Sequence, residues 1–531
     1  MTISRRRFLG QATPFGLLPF AVACAGQDDE CCEPDSDVAG LGSSSTFVHG
    51  VASGDPLADA VILWTRVTPP DASAERVDVE WRVAVDPRFE SVVARGQAEA
   101  ALDSDYCVKV DVTGLAPASV YYYDFAALGE RSSVGRTKTL PLGDAARARL
   151  AVVSCANYPA GYFTVYGLIA ARDDLDLVLH LGDYLYEYAN GTYGDGEALG
   201  RLPAPDRELL SLADYRERHA QYKADPDLQE LHRRHPMIAI WDDHEIANDG
   251  YRDGAGNHQP DVDGDWAVRK QSAMRAYFEW LPIRAPQSNE LRVYRQFAFG
   301  DLLDLVAIDA RYAGRDAPVA RACDRAALDD AARSMLGAEQ EAWLFDALRA
   351  SRARGASWRL VAQQVMLAQL SDPSDGCVTQ LDQWDGYAAS RARLLGLLRG
   401  ETIDNVVVLT GDAHSSWAFD ITENPFDPAS YDPATGEGSL AVELVAPSVT
   451  SAYDFGGAAS AATHPHLKFV DLVRHGYVLV DVTRERARAE WYFASSVRKP
   501  SADEQLGAAF EVRAGENRLR AADETLPPSG A

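Results

Sequence analysis

Three short hydrophobic runs, far apart in the chain, each end in residues of the kinds that bind metal ions. The runs and the polar residues that follow them are 177–181 with Asp183 and Tyr186, 238–241 with Asp243 and His244, and 406–410 with Asp412 and His414. Each run has the composition of a buried strand, and in open α/β sheets ligands bind beyond the carboxyl ends of the strands. The three strand ends therefore predict one shared metal site.

The bulk properties of the chain are those of an acidic, soluble enzyme. Its 531 residues are enough for a large core and more than one domain, and 47% hydrophobic with 24% charged residues is ordinary for this class. The formal net charge of -28 argues against a nucleic-acid partner, because binding a phosphate backbone requires a basic surface. It also repels anionic substrates at long range, so a phosphate site needs local positive charge from metal ions and Arg.

The N-terminus has the pattern of an export signal rather than of a folded element. Residues 4–10, Ser-Arg-Arg-Arg-Phe-Leu-Gly, resemble the twin-arginine motif, and the apolar stretch 11–25 is too short to span a bilayer. We therefore expect the twin-arginine machinery to export the protein to the periplasm, the cell surface or the medium. That route carries folded proteins, which suits a protein that acquires its metal in the cytoplasm.

The segment that follows the signal predicts processing and a tether. Residues 20–24 resemble a lipobox, which makes Cys24 a candidate site of lipid attachment, and cleavage without lipidation near 23–25 is the alternative. Residues 27–45 are polar, acidic and rich in Gly and Ser, as flexible tethers are. We assign 1–45 to the signal and the tether.

The remaining cysteines predict one buried thiol and one candidate disulfide. Cys323 and Cys377 flank a long insertion, and they are candidates for a bridge in an oxidising compartment. Cys107 lies in a strand-like run and is expected to be a core thiol. Cys31 and Cys32 fall in the tether and are not expected to take part in catalysis.

The spacing of strand and helix signals predicts two folded parts. Residues 46–140 contain β-branched and aromatic runs separated by turn signals, which predicts a β-sandwich. From 147 to 510, hydrophobic strands alternate with helical stretches, which predicts a layered domain of α/β type with an α+β end. Its strand candidates are 150–154, 175–181, 238–241, 302–308, 358–362 and 406–409, and its helix candidates are 212–224, 265–280, 337–352 and 390–399. The polar tail 511–531 is expected to be frayed.

Longer motifs around these residues resemble one protein family. They are 47–56 and 63–66 in the N-terminal part and 154–157, 182–188, 241–245, 384–387 and 411–415 in the catalytic part. Together they resemble the alkaline phosphatase D (PhoD-type) family, within the calcineurin-like metallophosphoesterase superfamily, over nearly the whole mature chain. The resemblance implies a fibronectin III-like β-sandwich ahead of a two-sheet αββα catalytic domain. It also implies a site for Fe3+ and Ca2+ that hydrolyses phosphate esters.

The resemblance implies an iron set of Cys155, Asp183, Tyr186 and His414. In the related purple acid phosphatases an Asp stands where Cys155 ends its strand here, and the residue that matches Asp183 bridges the two metals. A phenolate is a hard oxygen ligand that suits a trivalent ion, and thiolate with phenolate on Fe3+ is expected to give a charge-transfer colour. The alternative for Cys155 is an inert buried thiol.

The second metal of related enzymes uses Asn and two His, and this chain departs from that pattern. The matching positions are Asp243 and, in place of one His, Asp412. With Asp183 bridging, these ligands are all oxygens, which favours Ca2+ over Zn2+. The family also implies a further calcium. Candidates for its ligands are Asp242, Glu245 and Asn248.

Three polar residues are candidates for contact with the substrate. His244 matches the His of the superfamily's Asn-His-Glu motif, and it is either a general acid or a residue that orients Asp243. Asn157 lies two residues past Cys155 and is a candidate phosphate contact. Arg311 follows another strand, and it is either a substrate contact or part of a structural ion pair.

These assignments predict an exported, metal-dependent phosphoesterase of the alkaline phosphatase or phosphodiesterase type. A metal-activated oxygen nucleophile attacks phosphorus, while metals and an Arg neutralise the phosphate charge. The expected substrates are phosphate mono- and diesters of small molecules, lipids or polymers, and we expect a monomer. Three alternatives stay open: a phospholipase D-type phosphodiesterase on the same scaffold, a zinc-dependent phosphoesterase, and a non-catalytic surface lipoprotein.

Overall fold

The computed structural model describes residues 44–285, 291–453 and 463–522. The predicted export signal, nearly all of the tether and the candidate lipid site Cys24 lie outside these residues. None of the helices within these ranges is long and apolar enough to cross a membrane.

The N-terminal part is built of short strands, because its β-branched and aromatic runs are separated by turns. They are β1 (Val51–Gly54), β2 (Ala60–Arg66), β3 (Arg76–Ala84), β4 (Val92–Ala101), β5 (Cys107–Thr113), β6 (Val120–Ala127), β7 (Glu130–Arg131) and β8 (Gly135–Lys138). Along β3, Val77, Val79 and Val83 are buried, while Asp78 and Glu80 between them are exposed. This alternation gives the strand one core face and one wet face, as its sequence predicts.

From Ala148 the chain alternates strands with helices. The first half contains β9 (Ala148–Val153), α1 (Thr164–Ala170), β10 (Leu177–His180), α2 (Leu212–Lys223), α3 (Pro226–Arg234), β11 (Met237–Ala239), α4 (Pro260–Asp263), α5 (Trp266–Trp280), β12 (Arg295–Phe299) and β13 (Leu303–Ala307). The second half contains α6 (Arg325–Leu328), α7 (Gly337–Arg354), β14 (Trp358–Gln363), α8 (Ala388–Gly400), β15 (Val406–Thr410), β16 (Ser416–Ile421), β17 (Ala441–Val445), β18 (Leu467–Asp471), β19 (Gly476–Val482), β20 (Arg486–Ala494), β21 (Glu504–Arg513) and β22 (Arg520–Ala521). Each predicted strand and helix of this part is present, although β11 ends two residues earlier than predicted.

Side-chain caps fix where the helices next to the site begin. Ser211 and Asp214 form a capping box at the start of α2, each side chain accepting from the other residue's backbone N–H. Asp225 caps α3, in which Pro226 occupies the first turn. Asp265 caps α5 in the same way. The free N–H groups at these helix starts are thereby satisfied.

The larger sheet has ten strands in the order β22-β21-β20-β19-β9-β10-β11-β1-β2-β5. Its centre, β9, β10, β11 and β1, is parallel. All four residues of β10 are buried, as expected for a parallel strand that is covered on both faces. The carboxyl ends of β9, β10 and β11 therefore lie at one edge.

A second sheet stacks on the first and has seven strands in the order β12-β13-β14-β15-β17-β16-β18. β13, β14, β15 and β17 are parallel. One hydrophobic core contains Leu179 of the first sheet together with Leu360 and Leu409 of the second. A separate core joins the second sheet to α7 and α8 through Leu344 and Leu395.

The N-terminal part differs in one respect from a self-contained sandwich. β3, β4, β6, β7 and β8 form a five-stranded sheet, whereas β1, β2 and β5 continue the ten-stranded sheet of the catalytic part. The two sheets still enclose a common core that includes Leu63, Val79 and Phe125. The junction exists because β1 pairs in parallel with β11, which otherwise would present an open edge.

Three other predictions concern the tail and the cysteines. β21 continues past 511 and β22 lies wholly beyond it. The prediction that the chain is frayed from 511 onward is therefore wrong for the described part of the tail. Val512 and Leu519 are buried, which explains why this part of the tail forms strands. Two apolar residues are too few to form a pattern that predicts a strand. Cys323 and Cys377 form a disulfide, and Cys107 is a buried thiol, as predicted.

Candidate metal centre

The candidate ligands follow strands whose carboxyl ends meet where the two sheets stack. Cys155 follows β9, Asp183 follows β10, Asp242 and Asp243 follow β11, Arg311 follows β13, and Asp412 and His414 follow β15. Residues that are hundreds of positions apart in sequence are thus brought to one place by the topology.

The backbone at these strand ends is left-handed at several candidate ligands. The φ angle is 64° at Cys155, 52° at Asp183, 59° at Asp412 and 51° at His414. Residues other than glycine rarely adopt this conformation, which clusters at functional sites. Gly182 has a φ of 106°, and a Cβ there would lie 2.4 Å from the backbone N of Asp242. Glycine is therefore required for the loops after β10 and β11 to approach this closely.

One group of side chains combines a thiol, a phenol, an imidazole and a carboxylate. Ligand atoms of Cys155, Asp183 and His414 all lie within 4.8 Å of one another. The Tyr186 hydroxyl donates to Asp183 Oδ2 at 2.8 Å and lies 3.0 Å from His414 Nε2. All four side chains are buried. The structure thus brings the four predicted iron ligands together, while the binding of iron stays a prediction.

The second ring nitrogen of His414 is held by neighbours of this group. Nδ1 lies 3.1 Å from the carbonyl oxygen of Ala452 and 2.8 Å from the hydroxyl of Tyr193. Because a carbonyl oxygen only accepts, Nδ1 carries a proton in its contact with Ala452. Ser451 donates to the hydroxyl oxygen of Tyr186 at 2.7 Å.

The electrostatics of this group favour the neutral thiol and phenol when no cation is near. Burial raises the pKa of the Cys155 thiol to about 12, and the neighbouring Asp183 carboxylate adds to the effect. Burial and the same carboxylate raise the pKa of Tyr186 well above its ordinary value. Burial opposes ionisation of Asp183 as well, yet His244 and His414 lower its pKa to about 2. A bound cation reverses the first two effects, because a coordinating thiol is deprotonated.

A second group consists of carboxylates, with Asp242, Asp243 and Asp412 offering oxygens within 4.8 Å of one another. A third set, Asp183, Asp243 and His244, joins this group to the first. Burial and the neighbouring carboxylates raise the pKa of Asp412 to about 7, against the pull of Arg311. Cations are the usual solution to such a concentration of buried acids.

Several buried carboxylate oxygens in these groups have no hydrogen-bond partner among the residues that the structure describes. They are Asp183 Oδ1, Asp242 Oδ2 and Asp243 Oδ1. Burying a charged oxygen without a partner is strongly unfavourable. Arg311 Nη2 lies 3.7 Å from Asp243 Oδ1, which is too long for a hydrogen bond. Oxygens without a hydrogen bond on three clustered aspartates therefore fit oxygen-liganded cations.

Arg311 lies among the carboxylates of the second group. Its wholly buried guanidinium donates to Asp382 at 2.7 Å and to Asp412 at 2.6 Å, and it also contacts Asp242. Three carboxylates contact its three nitrogens, and its predicted contact with substrate stays a prediction. The alternative, a structural ion pair, agrees with this geometry.

His244 lies between the two groups and pairs with a carboxylate that sequence analysis missed. Its Nδ1 lies 2.7 Å from Oε2 of the buried Glu187, whose Oε1 accepts from the backbone N–H of Asn248 at 2.8 Å. Burial opposes the protonated imidazole, but Glu187, Asp183 and Asp243 raise the pKa of His244 well above its ordinary value. A protonated His244 has Nε2–H available to a bound substrate.

Glu245 belongs to the loops rather than to the ligand groups. Its carboxylate accepts from the backbone N–H of Asp183 at 3.1 Å and of Asp242 at 2.7 Å, and from that of Tyr184. These three hydrogen bonds tie the loop after β10 to the loop after β11, and the predicted role of Glu245 as a calcium ligand stays a prediction. Asn248 likewise contributes a backbone N–H, which donates to Glu187.

Asn157 is buried beside the first group, and its amide is used for structure. Its Nδ2 donates to the backbone carbonyl of Tyr193. Its backbone carbonyl accepts from the Thr450 hydroxyl at 2.7 Å. Through its amide Asn157 holds the loop that carries Tyr193, and its predicted contact with phosphate stays a prediction.

Besides Tyr193, three further residues of the site were not among the predicted ones. Glu187 stands inside the motif 182–188, and Asp382 and Gln383 directly precede the motif 384–387. Asp382 pairs with Arg311, and Gln383 donates to Asp412 Oδ2 at 2.7 Å. Polar residues beside the motifs were the available signal, but nothing local distinguishes them from ordinary loop residues.

Two family models match the chain. The model described as PhoD-like phosphatase matches residues 150–491, and the one described as PhoD-like phosphatase, N-terminal domain, matches residues 35–141. The chain belongs to the PhoD-like phosphatase family. Every residue of the groups described above lies within the first match.

Individual relatives agree with the family models. Alkaline phosphatase D of Bacillus subtilis (strain 168) is 35% identical over an alignment of 508 residues that covers 92% of this chain and 84% of that protein. A solved structure of PhoD aligns with a TM-score of 0.81 and 33% identity, covering 93% of this chain and 95% of that one. These findings confirm the family resemblance, and the chain is a phosphoric ester hydrolase. The non-catalytic alternative is thereby removed.

Proposed function

We propose that this PhoD-like phosphatase is an exported, metal-dependent phosphoesterase that hydrolyses phosphate mono- and diesters with Fe3+ and Ca2+. The supporting observation is a mixed group of sulfur, nitrogen and oxygen donors beside a group of carboxylates. Several of those carboxylate oxygens are buried and have no hydrogen-bond partner within the described ranges. Such a concentration of negative charge is unfavourable unless cations bind it.

The chemistry of the donors supports the choice of ions. We assign Fe3+ to the mixed group, which comprises Cys155, Asp183, Tyr186 and His414. Its anionic thiolate and phenolate suit a trivalent ion. We assign Ca2+ to Asp243 and Asp412, with Asp183 shared, because carboxylate oxygens suit this hard cation. Asp242 is a further candidate through its unpaired Oδ2.

The chain's own residues supply the proton chemistry of the proposed reaction. When bound, the cations would supply Lewis acidity that neutralises phosphate oxygens and lowers the pKa of an oxygen nucleophile. Glu187 holds His244 through Nδ1 and favours its protonated form, so Nε2–H can donate to the leaving oxygen. Arg311 balances the charge of the carboxylates through its contacts with Asp242, Asp382 and Asp412.

We further propose export by the twin-arginine route to the periplasm, the surface or the medium, with Cys24 as a candidate lipid anchor. The motif at 4–10 supports this, as does the disulfide of Cys323 with Cys377, since such bonds persist in oxidising compartments. We also propose a monomer, a fibronectin III-like class for the N-terminal part and an αββα class for the catalytic part. Their support is the family resemblance and the stacking of sheets.

The test combines elemental analysis, an absorption spectrum and turnover of p-nitrophenyl phosphate and its bis ester, with and without calcium. We expect iron, calcium, a visible charge-transfer band and calcium-stimulated hydrolysis. Asp183→Asn should lose both metals and most activity, whereas the exposed control Asp261→Asn should not. A folded wild type without metal refutes the proposal, and zinc in place of iron and calcium favours the zinc alternative. Choline release from phosphatidylcholine would favour the phospholipase D alternative.

A further inference from the structure

Tyr193 covers the candidate metal centre from a loop that the proposed reaction does not use. It is half-buried in the segment between β10 and α2. Its ring centroid lies 5.8 Å from that of His414, 5.7 Å from that of Tyr186 and 6.2 Å from that of His244. The three ring pairs are close to parallel, with interplanar angles of 30°, 26° and 10°. One aromatic ring thus lies beside two residues of the first group and beside His244, which lies between the two groups.

The hydroxyl of Tyr193 completes a closed set of hydrogen bonds around His414. It donates to the carbonyl oxygen of Ala452 at 2.8 Å and lies 2.8 Å from His414 Nδ1. A hydroxyl has one proton, so donation to Ala452 leaves its lone pairs to accept the proton on Nδ1. Ala452 accepts more weakly from the same nitrogen, at 3.1 Å. Tyr193 is therefore the nearer acceptor for the histidine.

The loop around Tyr193 is held in place by side chains, so the position of the ring is a built feature of the fold. Asn157 donates to the carbonyl oxygen of Tyr193. Asn190 donates to Asp195 at 3.0 Å and accepts from the backbone N–H of Gly196 at 2.8 Å, which closes the loop on itself. Asn157 lies next to the Cys155 strand end, so the loop is fixed to the same edge that carries the ligands.

We propose that Tyr193 is a positioning residue of the metal centre, whose hydroxyl accepts from Nδ1–H of His414 and holds Nε2 toward Cys155 and Asp183. This inference rests on the metal centre of the proposed function. Partners that hold the second nitrogen of a metal-binding histidine typically contribute ten- to a hundred-fold to metal affinity. The buried Asn157 contributes indirectly, because it fixes the backbone of Tyr193.

The first test is the loss of iron to a chelator from the loaded enzyme. We expect Tyr193→Phe to release iron about ten-fold faster than the wild type. It should also lower kcat with little change in KM, since no contact with substrate is removed. The matched control is Tyr162→Phe, which removes a tyrosine hydroxyl that donates to the carbonyl oxygen of Leu199 at 3.2 Å and does not contact His414. This control should behave as the wild type.

The second test needs neither metal nor activity. In metal-free protein labelled with nitrogen-15 at histidine, His414→Gln identifies the signal of the Nδ1 proton. We expect this proton to exchange with solvent about five-fold faster in Tyr193→Phe, because its stronger hydrogen bond is lost. Wild-type rates of exchange and iron release in Tyr193→Phe would overturn the inference, and so would an equal effect of Tyr162→Phe. A wild type that holds iron but hydrolyses no ester would instead count against the proposed function alone.

Discussion

Gly182→Ala is the sharpest test of how the two aspartate loops meet. Gly182 has a φ of 106°, and a Cβ at this position would lie 2.4 Å from the backbone N and 2.5 Å from the Cβ of Asp242. The methyl group therefore meets backbone, which cannot rotate away. Accommodating it requires the loop that carries Asp242 and Asp243 to move away from Asp183.

The expected loss of unfolding free energy has two contributions, and a control variant separates them. The left-handed backbone costs an alanine roughly 1–2 kcal/mol, and an added methyl in a packed site costs roughly 1–3 kcal/mol more. Gly114 also has a positive φ, of 78°, but a Cβ there meets no atom of the described residues within 4 Å. We therefore expect Gly114→Ala to lose about 1–2 kcal/mol of unfolding free energy and Gly182→Ala to lose about 2–5 kcal/mol.

The assay is urea unfolding of the metal-depleted proteins, followed by elemental analysis of the reloaded proteins. Movement of Asp242 and Asp243 away from Asp183 should deplete calcium from Gly182→Ala, while Gly114→Ala should load as the wild type does. If the two variants lose the same unfolding free energy and retain the same metals, then the close approach of the two loops is refuted.

Three other changes test the role of His244, the role of Asp412 and the disulfide. Glu187→Gln removes a charge that favours protonated His244, so the pKa of His244 should fall. Because the proposed general acid then loses its proton at lower pH, the alkaline limb of the plot of kcat against pH should move to lower pH. Asp412→Asn should raise the calcium concentration needed for half-maximal activity by about ten-fold or more, because a ligand oxygen is lost. Replacing both Cys323 and Cys377 by Ser should cost about 4 kcal/mol of unfolding free energy for a separation of 54 residues.

Each of these predictions has its own contradicting result. An unchanged alkaline limb in Glu187→Gln would mean that His244 is not the group that titrates there. Wild-type calcium dependence in Asp412→Asn, measured beside Asp261→Asn, would remove Asp412 from the calcium group. If the double serine variant unfolds at the same urea concentration as the oxidised wild type, the disulfide does not restrain the unfolded chain.

The group proposed to hold iron was predictable because most of its members obey a local rule. Asp183, Tyr186 and His414 follow strands that their own hydrophobic composition reveals, and carboxyl ends of parallel strands gather ligands. The family resemblance added Cys155. The structure brings all four together. The main strands followed from their short, continuous hydrophobic runs, and the helices followed from the helical stretches between them.

The tertiary structure decided everything that depends on a distant partner. Glu187 pairs with His244 from 57 residues away, and no local pattern links the two. The pairing of β1 with β11, which joins the N-terminal part to the catalytic sheet, is likewise a long-range event.

Arg311 shows most clearly what the sequence alone left undecided, because its position in the sequence was compatible with both a substrate contact and an ion pair. Its role depends on which charges surround the guanidinium. Those charges, on Asp242, Asp382 and Asp412, come from three separate loops. Only the packing of those loops places them around one buried cation, because electrostatic partners are set by distance in space and not by position in the chain.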